Sequence, residues 1–182
     1  MTSSASNPLG PEPDPRPDYD GPPVLETSLS AELTAFIAHE ARLLDDGRHD
    51  DWLALFAPDG HYWVPAAPGQ TDMRLQPSLA LEDPFLLRLR IDRLRHPQAH
   101  SQHPASRSLH ILQASHCEAA EALAWRMRTP FLYFEQRGGD QISLPGCATH
   151  ELVRIDGKLK IRLKRVDLLA AGQALPMIQL FP

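Results

Sequence analysis

Cysteine is scarce in this chain: two in 182 residues, Cys117 and Cys147, without CxxC spacing. That excludes a disulfide framework and reads as reduced thiols of a cytoplasmic protein, a disulfide between the two being the alternative. Long hydrophobic runs are lacking as well. The apolar stretches last only a few residues, so no transmembrane helix is expected. The opening "MTSSASNPLG" has neither the basic region nor the apolar core of a signal peptide. Charge of one sign is not abundant either: 18 Lys and Arg against 23 Asp and Glu leave −5. That is too weak to draw nucleic acid or anionic lipid over long range. What is there is an ordinary globular balance, 42% hydrophobic and 23% charged, in a length that suits one domain plus a tail.

The tail is residues 1–28, "MTSSASNPLGPEPDPRPDYDGPPVLETS". Its prolines fix φ and remove donors, and it has almost nothing to bury. It is either a solvated extension or a segment ordered across a partner. Residues 29–182 carry the domain. Leu33, Phe36, Ile37, Ala41 and Leu44 recur at helical spacing, with Ser30 as N-cap and Gly47 as stop. "HDDWLALFAPDG" reads as a short second helix capped by Asp50 or Asp51 and ended by Pro58 and Gly60. "HYWVP" and "PSLALED" read as short strands. "DPFLLRLRIDRLRHP" reads as a helix capped by Asp83, with Pro84 in its first turn.

Strands follow. "SRSLHILQASHC" and "EALAWRMRTPFLYFEQ" flank a short turn, "RGGD" signals a hairpin, and "IDGK" signals a type I′ hairpin. In "KLKIRLKRVDLL" the apolar phase slips after Leu163, which predicts a β-bulge near Lys164 and Arg165. Helices first and strands later mean an α+β domain, a curved antiparallel sheet with helices packed on one face. Such a cone leaves a pocket between sheet and helices.

The stretch "HEARLLDDGRHDDWLALFAPDGHYWVP" packs three histidines and six carboxylates between His39 and Pro65. A zinc-protease helix would need histidine four residues after His39, where Leu43 stands. Glu40 lies on the apolar face, i+4 from Phe36 and i−4 from Leu44, so it must be paired or protonated. An arginine or histidine from the sheet is the expected partner. Asp45, Asp46, Asp50 and Asp51 bracket a turn and are expected to cap helices and face water. His96, His100, His103, His110 and His116 could bind a metal, but no carboxylate nearby completes a two-histidine, one-acid triad. His110 and His116 share a strand face that could look into the pocket. The basic alternation of "KLKIRLKR" is how one side of a strand stays wet. GxGxxG, P-loop and GxSxG motifs are missing, and the cysteines lack the CxH…CxxH arrangement of a Rieske cluster.

The run "FIAHEARLLDDGRHDDWLALFAPDGHYWVP" resembles the start of the small (β) subunits of aromatic-ring-hydroxylating dioxygenases. The likeness continues through "LEDPFLLRLRIDRLR", "HPASRSLHILQAS" and "DGKLKIRLKRVDLL", covering about residues 29 to 182. The family's "PxSRxxHxxxN" strand often ends in Asn, where this chain has Ser115 or a neighbour, and the proline-rich tail has no match. The resemblance implies a nuclear-transport-factor-2-like, cystatin-like cone. It also implies a trimeric small subunit supporting three large (α) subunits in a hetero-hexamer. The Rieske [2Fe–2S] cluster, the mononuclear iron and the substrate pocket would then belong to the large subunit, leaving no cofactor, metal or catalytic residue here. Two rivals stand beside it. One is a stand-alone isomerase or dehydratase using His61, Asp83 and His110, with Glu40 or Tyr62 as further candidates, for proton transfer. The other is a binding module with a snug apolar cavity.

Overall fold

The computed structural model describes residue 23 and residues 25–96 and 104–182. Most of the tail, together with His100 and His103 of the histidine group, lies outside the described residues. Helix α1 spans Thr27–Asp45 and buries Leu33, Ile37, Glu40, Ala41, Leu43 and Leu44. It starts three residues before the expected cap at Ser30, whose backbone N–H donates to the Glu26 carbonyl inside the first turn. Gly47, at φ +67°, ends the excursion as expected. Helix α2, His49–Leu53, is shorter than the sequence suggests. Asp50 and Asp51 sit in its first turn, and Arg48 occupies the cap.

Pro58 and Gly60 do not end that helix but lie within strand β1, Phe56–Pro65. Between the pairs Phe56–Ile161 and His61–Leu163, β1 advances five residues while its neighbour advances two, so "APDG" bulges out. Gly60 is required there: a Cβ would stand 2.7 Å from the Ile161 carbonyl oxygen. Strand β2 is Ser78–Glu82. Helix α3, Pro84–Arg95, follows at once; the Asp83 carboxylate accepts from the Leu86 N–H at 2.8 Å, and Leu87 and Ile91 are buried.

Strands β3 (Arg107–Leu112), β4 (His116–Glu121), β5 (Ala124–Arg137), β6 (Asp140–Ile155) and β7 (Lys158–Leu168) complete one seven-stranded sheet. Its order is β2-β1-β7-β6-β5-β3, with β4 also paired to β5. "SRSLHILQASHC" is thus two strands, not one. The pairs are antiparallel except β1–β7, which is parallel. The β6–β7 hairpin turns through Asp156 (φ 48°) and Gly157 (φ 76°), both positive as a type I′ turn requires.

The predicted bulge exists, but at Arg162 and not at Lys164–Arg165. Glu151 pairs with Leu163 and Leu152 with Ile161, leaving Arg162 unmatched. The apolar pattern places the slip too late because Lys164 itself is buried, on the same side as Val166 and Leu168. Core residues come from all three helices and from the inward faces of the long strands, so the sheet curves over the helices. Cys117 in β4 and Cys147 in β6 are free thiols.

Candidate functional site

The interior of the cone is polar at its centre. Glu40 projects from α1 into the sheet, where its Oε1 accepts from Lys164 Nζ at 2.9 Å and from Trp52 Nε1 at 2.6 Å. His150 Nε2 stands 3.7 Å from the other carboxylate oxygen, an ion-pair distance but not a hydrogen bond. Glu40, Lys164 and His150 are each at most 2% exposed. Burial opposes ionisation of Glu40, but the Lys164 ammonium and then His150 outweigh it and hold the carboxyl far below the usual range. The expectation of a paired Glu40 holds, with a lysine as principal partner in place of an arginine and a histidine beside it.

A second dyad joins α1 to β3. Asp45 accepts from the backbone N–H of His110 at 2.9 Å and faces its Nδ1 at 2.7 Å. Asp45 was expected to face water; instead it clamps the edge strand. Burial pushes its carboxyl up, but the His110 contacts more than offset this and its affinity for protons is lowered.

The rest of the interior is filled by residues 178–182. The Phe181 ring packs against Trp52 (centroids 4.6 Å apart), His49 and Tyr62, under the guanidinium of Arg90 at 4.3 Å. Each of the three neighbouring carbonyls has a donor. Arg90 reaches that of Leu180 at 2.8 Å, His110 Nε2 that of Phe181 at 3.1 Å, and the Tyr62 hydroxyl that of Pro182 at 3.1 Å. Glu135 Oε2 accepts from the N–H groups of Gln179 and Leu180 and from the Tyr133 hydroxyl. Burial drives both phenols, Tyr62 and Tyr133, well above their usual range. It also pushes the His49 imidazole down, with Arg95 adding to the effect.

The proton-transfer candidates are therefore dispersed. His110 and Tyr62 meet around Phe181 and Pro182, and Glu40 is locked to Lys164. His61 contacts the Asp59 carbonyl through Nδ1 at 3.0 Å, and Asp83 is consumed as a cap. Neither joins His110. Of the histidine group, His116 is exposed on β4, and His96 follows α3. Among the described residues no group of three or more His, Cys, Asp or Glu side chains is placed to hold a metal ion. The donor chemistry agrees: an ammonium sits beside Glu40 and His150, and both His110 ring nitrogens face protein acceptors. Sequence reasoning missed Lys164, His150, Glu135, Tyr133 and Phe181. Only the phase slip around Lys164 signalled any of them.

Residues 39–172 match the family described as "Ring hydroxylating beta subunit". The small oxygenase component of the p-cumate 2,3-dioxygenase system of Pseudomonas putida is 34% identical over 137 residues, 74% of this chain and 76% of that protein. The β subunit of the benzoate 1,2-dioxygenase from Burkholderia mallei superposes with a TM-score of 0.67 at 22% identity, covering 87% of this chain and 99% of that one. An NTF2-like protein with a cystatin-like fold from Novosphingobium aromaticivorans superposes at 0.55 with 20% identity, covering 76% and 80%. The fold is thus α+β of the NTF2-like, cystatin-like type.

Proposed function

This chain belongs to the ring-hydroxylating β-subunit family, and from that premise we propose that it is a non-catalytic scaffold. It holds an iron-bearing large subunit in place within a cytoplasmic oxygenase that degrades an aromatic compound. The Rieske [2Fe–2S] cluster and the mononuclear iron reside in that large subunit, and the assembly is a trimer of this chain carrying three large subunits. The observation that carries the reading is the closed cone. Phe181 is buried inside the cone against Trp52, and the backbone of residues 179–182 engages Glu135, His110 and Tyr62 around it, leaving His49 Nε2 as the one buried nitrogen beside the ring without a partner among the described residues. An isomerase or dehydratase needs a free acid and base converging on an open pocket. His61 and Asp83 are spent elsewhere, and His110 is engaged on both nitrogens.

The test combines metal analysis with sedimentation. The isolated chain should carry no stoichiometric iron, and with its large subunit it should sediment as a hetero-hexamer. Contacts of that stable kind bury on the order of 1,000 Å² or more. One tightly held iron per chain, or a monomer both alone and with the large subunit, would overturn the reading. So would proton-transfer activity abolished by His110→Gln.

A further inference from the structure

The sheet is unfinished at β2. It is the terminal strand of the order β2-β1-β7-β6-β5-β3, and among the described residues nothing pairs with its far edge. Proteins commonly blunt such an edge with proline, lysine or a bulge. "SLALE" contains no proline or lysine; its one irregularity is a bulge that leaves Leu79 unmatched against β1, with Ala80 and Ser78 paired to Val64 and Pro65. At the opposite end of the sheet the β3 edge is guarded, because Asp45 captures the His110 N–H.

A groove of about 720 Å³ runs between β2 and α3, closed by the segment around Arg74. From α3, Leu86, Leu89, Arg90 and Arg93 line it, at i, i+3, i+4 and i+7, while Leu87 and Ile91 face the core. Its apolar lining is open to solvent: Leu79 is 49%, Leu86 44% and Leu89 50% exposed. Glu82, the one carboxylate in the lining, is matched by Arg90 at 3.2 Å. Arg74 and Arg93 are left as excess positive charge on a chain whose net charge is −5.

We propose that this groove receives an extended, acid-bearing strand of the large oxygenase subunit, added to the free edge of β2. The backbone of that strand completes the ladder, its alternate apolar side chains rest on Leu79, Leu86 and Leu89, and its carboxylates meet Arg74 and Arg93. The proposal rests on the scaffold reading above. Two other occupants fit less well. The chain's own "PEPDPRPD", residues 11–18, is acidic, but its four prolines hold φ at about −65° and favour a polyproline II shape over a strand, and it offers no apolar side chains for Leu79, Leu86 and Leu89. A second copy pairing β2 with β2 would set the same arginines against each other, a like-charge contact.

Hydrogen exchange read by mass spectrometry tests this on the full chain, alone and co-expressed with its large subunit. Amides of residues 78–82 should exchange roughly tenfold or more slowly in the complex. The variant Leu89→Asp/Arg93→Glu alters exposed positions only; it should melt like the parent yet bind the large subunit roughly tenfold or more weakly. If that variant misfolds, the exchange of the unaltered chain still decides. A complex that forms with residues 78–82 unprotected overturns this proposal and leaves the scaffold reading standing. No complex at all overturns the scaffold reading, and this proposal with it. Protection in the isolated chain also overturns it: a second copy is the occupant if protection grows with concentration, the chain's own tail if deleting residues 1–22 abolishes it.

Discussion

Glu40 shows how much one residue's position in a helix can disclose. Its place between Phe36 and Leu44 requires a buried carboxyl group, which must be protonated or paired, and here a cation pairs it. The identity of that cation was hidden, because every lysine in "KLKIRLKR" reads as a solvated side chain. The extra residue at Arg162 turns Lys164 inward, a local backbone event that no alternation pattern locates when the inward residue is itself polar. Lys164→Met should leave Glu40 buried without its main partner and cost about 3–5 kcal/mol in urea unfolding. Glu40→Gln/Lys164→Met, which removes both charges but keeps an oxygen for Trp52, should cost less than the sum of the single changes. The pH dependence has a definite sign. Glu40's folded-state proton affinity is depressed, so its contribution is complete above the unfolded carboxyl value of 4.5 and drains away as pH falls toward the much lower folded value. The acid limb of the stability curve should therefore flatten in Glu40→Gln. Identical acid limbs in the two proteins would show that Glu40 is not held ionised.

At the scale of elements, legibility followed local chemistry. Helix α3 was readable to the residue because Asp83 and Pro84 are start signals that act within one turn, and the β6–β7 hairpin because Asp156 and Gly157 adopt the positive φ that the turn demands. Helix α2 was not. "APDG" carries stop signals, but the parallel partner β7 draws these residues into a bulged strand, a constraint from a segment about a hundred residues away. The same distinction makes Asp83 informative. As a cap, Asp83→Ala should lower stability by about 1 kcal/mol. Asp83→Asn should recover most of the loss, since an amide oxygen still accepts from the Leu86 N–H. Failure of Asn to recover it would mean that the charge, and not the cap, is what matters.

For the whole molecule, the cone and its closure differ in how far they could be foreseen. The cone follows from the order of helices and strands, whereas "LPMIQLFP" has no periodicity and finds partners far along the chain, as between Tyr62 and Pro182, 120 positions apart. No local rule reports such contacts, and the candidate pocket looked open for that reason. Phe181 is 1% exposed, and its ring contacts come from α2, β1 and α3. Phe181→Ala should therefore cost about 3–5 kcal/mol, and Phe181→Leu distinctly less, because part of the volume is refilled. If the segment serves only to close this chain's own cone, both variants should still bind the large subunit with parental affinity at temperatures where they remain folded. A variant that melts like the parent but loses the large subunit would instead place residues 178–182 at the subunit boundary. Thermal unfolding and binding, measured on the same preparations, separate the two outcomes.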